Sequence, residues 1–120
     1  MAKESQIGIY GSVAREKIDP LLTKLITDLN KAGFTTNSSC QGKTCPDDYE
    51  EDRHCEHSFI SFTDETVLPK LRAKARKLGL VIYNGGISIT ALSGRETKAE
   101  TIFKRNLNFV SKLRELFNLE

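Results

Sequence analysis

The run LVIYNGGISITAL, residues 80–92, contains the strongest structural constraint in the chain. Two stretches rich in β-branched residues flank Asn84-Gly85, the dipeptide preferred in a tight primed turn because both central residues take positive φ. This predicts an antiparallel hairpin, and the rest of the fold has to supply partners for it.

Those partners are legible upstream. QIGIYGS (6–12) alternates apolar and small residues and reads as a first strand; 34–40 reads as a second and HSFISF (57–62) as a third. Asp19-Pro20 is a helix start, a cap followed by a first-turn proline. Leu22, Leu25, Ile26 and Leu29 then recur at helical spacing until Gly33 stops the helix. A second helix is expected from about Val67 to Leu78, with Pro69 tolerable only in its first turn, and a long one from about Thr97 to Leu119. LTKLITDLNKAGFT (22–35) and LPKLRAKARKLGLV (68–81) coincide at Leu22/Leu68, Lys24/Lys70, Leu25/Leu71, Lys31/Lys77 and Gly33/Gly79, and both units read helix, glycine stop, strand. The expected architecture is α+β: a single domain over 1–120, with a five-stranded mixed or antiparallel sheet, helices on one face and a long C-terminal helix.

The last helix has a wide apolar arc. Ile102, Phe103, Leu107, Phe109, Val110, Leu113, Leu116 and Phe117 cover about half the circumference, more than one packing surface requires. That width predicts two partners for the helix, the sheet and a second subunit. Asn106 lies inside the arc; Arg105 and Arg114 lie near its edges, positions suited to an interface registry residue and snorkelling arginines.

Charge is uneven. DDYEEDRHCE (47–56) carries six acids and one base, leaving 17 bases against 10 acids elsewhere. A basic body with an acidic flap suits a small anionic ligand better than a long nucleic acid. The second helix presents Lys70, Arg72, Lys74, Arg76 and Lys77 with no acid among them. No signal peptide or transmembrane-length apolar run is visible, so a soluble cytosolic protein is expected, with cysteines kept as thiols or metal ligands.

All three cysteines and both histidines fall between residues 40 and 57: Cys40, Cys45, His54, Cys55 and His57. Four of them have the chemistry for tetrahedral zinc, so a small zinc-binding domain is one reading, although no C-x-x-C pair exists. Pairing Cys40 with His57 as a nucleophile and base lacks a recognisable third residue. SSCQGK has a third reading, as a ligand floor. Ser38 and Ser39 supply hydroxyls, Gly42 permits close approach of a ligand, and Lys43 with the local amides supplies positive charge. A plain β-turn would use the same residues.

Two resemblances bear on these motifs. LITDLNKAGFTTNSSCQGK, then HSFISF, KARKLGL and GISI, resembles the wybutosine-synthesising tRNA methyltransferase family, which carries S-S-C-S-G-R at a strand end. Ser38, Ser39, Cys40 and Gly42 match, Gln41 departs and Lys43 keeps the charge; the resemblance implies S-adenosylmethionine-dependent tRNA modification. Taken whole, from IGIYGSVARE through the NGG hairpin to the last helix, the chain looks more like the first-described type of phage Thoeris anti-defence proteins. That resemblance implies an oligomeric, non-catalytic sponge, without a cofactor, in the host bacterial cytoplasm. Its ligand would be a cyclic ADP-ribose isomer, or a cyclic oligonucleotide, made by immune TIR enzymes. It assigns the ligand contacts to an aromatic residue, an asparagine and arginines, which fall here on Tyr83, Asn106, Arg105 and Arg114.

Overall fold

A computed structural model of the chain describes residues 9–10, 13–14, 20–45, 47, 55–91 and 98–119. In chain order its elements are β1 (Ile9–Tyr10), β2 (Val13–Ala14), α1 (Thr23–Lys31), β3 (Thr36–Cys40), β4 (Phe59–Phe62), α2 (Arg72–Lys77), β5 (Val81–Tyr83), β6 (Ser88–Thr90) and α3 (Ala99–Leu116). Short 3-10 turns lead into α1 and α2 at Pro20–Leu22 and Pro69–Leu71. Each begins with a proline, whose missing N–H is harmless in a first turn.

The α+β class holds, but the strand count differs from expectation. Among the described residues the main sheet has four strands, in the order β3-β4-β6-β5, every neighbouring pair antiparallel. The stretch expected as one first strand instead folds back on itself. Tyr10 pairs with Val13 and Ile9 with Ala14, giving a separate two-stranded ladder. The rest of 6–12, and Asp19, lie outside the described residues. The last helix is also shorter than the 97–119 expected, running 18 residues over Ala99–Leu116.

The weak sequence repeat corresponds to a repeated unit. Each half runs helix, left-handed glycine, then two antiparallel strands: α1-Gly33-β3-β4 and α2-Gly79-β5-β6. Gly33 has φ +96° and Gly79 φ +76°. The helix stops match bond for bond: Phe34 N–H donates to the Leu29 carbonyl and Leu80 N–H to the Ala75 carbonyl, both at 2.9 Å. This six-to-one bond is the Schellman closure that a glycine in that conformation allows. The halves meet at the central β4–β6 pair, leaving β3 and β5 as the two edges. The Asn84-Gly85 turn forms with both residues at positive φ, 56° and 70°. Pairing resumes at Tyr83–Ser88, so the loop is four residues long rather than two.

One face of the sheet carries the core. Ile60 and Ile89, paired across the two central strands, and Phe62 pack with Leu25, Ile26 and Leu29 of α1, Ala75 of α2 and Phe109, Leu113 and Leu116 of α3. The helices therefore cover this face. Phe117 rings off its end, with centroids 4.8 Å from Phe34 and 5.6 Å from Phe62. The half-circumference apolar arc of α3 is thus largely filled within a single chain. Leu107, 53% exposed, is the member left at the surface.

Candidate functional site

The residues after β3 are held by one side chain. Asn106 reaches from α3 and is buried. Its Oδ1 accepts from the Ser58 N–H at 2.9 Å and shares the single Ser58 hydroxyl proton, at 3.0 Å, with the closer Gln41 carbonyl at 2.6 Å. Its Nδ2 donates to the carbonyls of Lys43 at 2.6 Å and Glu56 at 2.9 Å. Both amide donors and both acceptor positions are in use, which is the full capacity of the group. Asn106 therefore clamps the two ends of the 43–56 connection together. The close approach expected at Gly42 is made by this amide and not left open for a ligand: a Cβ there would lie 2.5 Å from Nδ2 and 2.6 Å from the Ser58 nitrogen, at φ +78°. Lys43 is buried as well.

The two arginines expected beside Asn106 do not converge. Nine positions on one helix set them about half a turn apart in azimuth and about 13 Å apart along the axis. Arg114 Nη2 sits 2.9 Å from Asp28 Oδ2 on α1, where Lys24 also reaches the same oxygen at 3.2 Å. That guanidinium holds the Asp28 carboxyl below the usual range, with Lys24 assisting. Arg105 is half-buried, and its Nη1 is fully enclosed with no hydrogen-bond partner.

Strand alternation separates the two serines that the sequence groups together. Ser39 pairs with Ile60 on the helix-covered face; Ser38 pairs with Ser61 on the other. The register continues Ser61–Ser88 and Ser88–Tyr83, so one row of hydroxyls, Ser38-Ser61-Ser88-Tyr83, crosses all four strands. At about 4.8 Å per strand the row is about 14 Å wide. Its middle is buried and self-satisfied: the Ser61 and Ser88 oxygens are 2.7 Å apart, and the Asn84 side-chain amide reaches the Ser88 oxygen at 3.5 Å. Its ends, Ser38 and Tyr83, are exposed, Tyr83 at 41%. Cys40 lies in the neighbouring row, opposite Phe59. The Cys40 sulfur accepts from the N–H groups of Cys55 at 3.2 Å and Gly42 at 3.4 Å. Burial pushes its thiol up to about 11, with the Cys55 side chain adding to the rise. Burial also raises the Tyr83 phenol, followed by the nearby Cys55.

The SSCQGK stretch thus lies at the β3 edge and Tyr83 at the β5 edge, with two strands between them. On the same edge strand as Tyr83, beside α2, is a groove of about 370 Å³ lined by Arg72, Ala75 and Arg76 of α2, with Gly79, Leu80, Val81 and Ile82; Tyr83 itself is not in its lining and belongs to the row on the open face. Arg72 and Arg76 are four positions apart and so lie on one side of the helix. Neither guanidinium has a hydrogen-bond or ion-pair partner among the described residues. The acid-free composition of this helix was visible in the sequence; its placement over the β5 edge was not. Ser61 and Ser88 were not readable from the sequence, because a two-residue turn at Asn84-Gly85 would set Ser88 opposite Val81 instead of Tyr83, and the Ser61–Ser88 pairing is long-range.

For metals, the described residues contain no group of three histidine, cysteine or acidic side chains placed to hold an ion. His54 lies outside them, and His57 Nε2 is 3.7 Å from Glu56 Oε1. No helix among the described residues is long and apolar enough to cross a membrane. No protein-family model, curated protein or solved structure matches the chain.

Proposed function

We propose that the protein binds a cyclic ADP-ribose-type nucleotide, or a related cyclic oligonucleotide, and holds it intact as an anti-defence sponge in the host bacterial cytoplasm. The observation that carries this reading is the β5 edge, where the exposed Tyr83 ring and the Arg72–Arg76 groove flank the same three-residue strand. A nucleotide needs a face for its base and fixed positive charge for its pyrophosphate. An aromatic ring gives the first at about 1–3 kcal/mol per base. Guanidinium groups give the second through paired hydrogen bonds to phosphate oxygens. The groove's volume lies within the usual range for small-ligand sites.

Non-catalytic binding is favoured by the state of Cys40. With its thiol at about 11, it is almost wholly protonated at neutral pH, whereas a working nucleophile has its thiol lowered. The proposal relocates the expected arginine contacts from Arg105 and Arg114 to Arg72 and Arg76, and assigns Gly42 and Asn106 to shaping the loop. Association of copies belongs to the same reading, with Leu107 as the exposed apolar residue on α3 available for it.

The test is incubation with a TIR-activated bacterial lysate, removal of unbound material, heat denaturation and mass spectrometry of what is released. An intact cyclic nucleotide is expected. A hydrolysed product would make the protein an enzyme, and retention of S-adenosylmethionine would favour the tRNA methyltransferase-like alternative.

A further inference from the structure

Two thiols meet where the 41–54 connection leaves and rejoins the sheet. Cys40 ends β3 and is buried; Cys55 is exposed. The Cys55 N–H donates to the Cys40 sulfur at 3.2 Å, which brings the Cys55 backbone against the Cys40 thiol. This approach does not depend on the sulfurs alone. Asn106 draws the Lys43 and Glu56 carbonyls onto one amide nitrogen, fixing the chain three residues after Cys40 and one residue after Cys55. A disulfide requires Cβ atoms within about 4.5 Å and Cα atoms within about 7 Å, so pairs that can form one are few and are set by the backbone. Here the backbone is set by a saturated buried amide.

We infer that Cys40 and Cys55 form a reversible modification site, closing to an intramolecular disulfide by exchange with a small-molecule disulfide such as oxidised glutathione. Cys55, the accessible thiol, reacts first. Its thiolate attacks one glutathione sulfur, the glutathione S–S bond breaks, and one glutathione thiolate leaves. Cys40 then gives up its proton to water and attacks the Cys55 sulfur, releasing the second glutathione thiolate. The two protein thiols lose two electrons and two protons, and one oxidised glutathione becomes two reduced molecules. Burial of Cys40 slows the second step, and its fixed proximity to Cys55 offsets that. The closed bond joins the last residue of β3 to the lead-in of β4. This inference concerns the thiols alone and stands whether or not Tyr83 holds a nucleotide.

The experiment uses the full chain equilibrated in glutathione buffers of increasing oxidised fraction, quenched by acid and alkylation, and mapped by peptide mass spectrometry. The expected product has lost two hydrogens, contains a peptide linking residues 40 and 55, unfolds several degrees higher than the reduced protein, and reverts with dithiothreitol. Cys45→Ser should close identically, and Cys55→Ser should leave Cys40 unlinked. The inference is overturned by a mixed glutathione adduct on Cys55 with Cys40 still alkylatable on unfolding. It is equally overturned by a Cys45–Cys55 link in the folded protein, or by no reaction at any glutathione ratio.

Discussion

Gly42 and Asn106 are mutually exclusive with any side chain between them: a Cβ at Gly42 would stand 2.5 Å from the Asn106 amide nitrogen. The glycine and the amide are one structural device. Gly42→Ala meets both the positive φ, about 1 kcal/mol or more, and a clash with groups that cannot move without losing hydrogen bonds, about 1–3 kcal/mol. Asn106→Ala strands the Ser58 N–H and the Lys43 and Glu56 carbonyls, for an expected loss of about 2–4 kcal/mol. Chemical denaturation of both variants and of the pair checks this. The double variant should be less destabilised than the two single losses added together, because each removes the same clamp.

Arg114 is assigned to stability and not to ligand. Asp28 is held below its unfolded value of about 3.9 by Arg114 first and Lys24 second. A lowered carboxyl contributes stability that is complete above the unfolded value and disappears as pH falls through the folded one. The Asp28–Arg114 contribution is therefore expected to begin to decline below about pH 4 and to vanish once the pH is below the lowered folded value. Arg114→Ala should cost about 1 kcal/mol at pH 7 and progressively less as Asp28 is protonated at low pH, while leaving nucleotide affinity unchanged. Thermal unfolding across pH reads the first effect, and calorimetry the second.

The sequence carried the local units well. The glycine stops, the positive-φ turn at Asn84-Gly85 and the apolar spacing of α1 all depend on neighbours a few residues apart, and all appear in the fold. Long-range pairing was less legible. Ser38 and Ser39 read as one hydroxyl pair until pairing with Ser61 and Ile60 sends them to opposite faces. Asn106 read as an interface residue because its arc was visible and its partners, 48 to 63 positions away, were not. Phe109 and Leu113 signalled a second partner, yet both are consumed by the core of their own chain. Arc width on a helix reports how many surfaces it touches, and here those surfaces are the sheet and α1.

That last point changes what charge substitutions should do. Phe109→Glu and Leu113→Glu place an unpaired carboxylate in the core, at a cost of several kcal/mol, and are expected to unfold the monomer rather than dissociate an assembly. Leu107→Glu is the informative variant. It should keep the fold, by circular dichroism, and lower the mass seen in light scattering if copies associate through α3. An unchanged mass would remove Leu107 from any interface.

Cys40 should be inert towards external alkylating reagents until the protein opens, since among the described thiols only Cys55 lies within its reach in the fold. Its thiol, raised from 9.0 to about 11, stays protonated in the fold at pH values where an unfolded cysteine ionises. Its contribution therefore favours the native state below about pH 9 and is lost as pH climbs through the interval up to about 11. Reduced protein treated with iodoacetamide at pH 8 should label Cys55 ahead of Cys40, with Cys40 labelling at the rate of unfolding. Rapid native-state labelling of Cys40 would contradict this.

The central claim is nucleotide capture at the β5 edge, and calorimetric titration of a cyclic ADP-ribose isomer into the unmodified protein, Tyr83→Ala and Arg76→Ala tests it most directly. Tyr83→Ala should lose about 1–3 kcal/mol of binding and Arg76→Ala about 1.5–3 kcal/mol, roughly tenfold or more each, with unfolding temperatures little changed. Ligand recovered after denaturation should be intact. Affinity that survives both substitutions, or ligand recovered cleaved, would contradict the account.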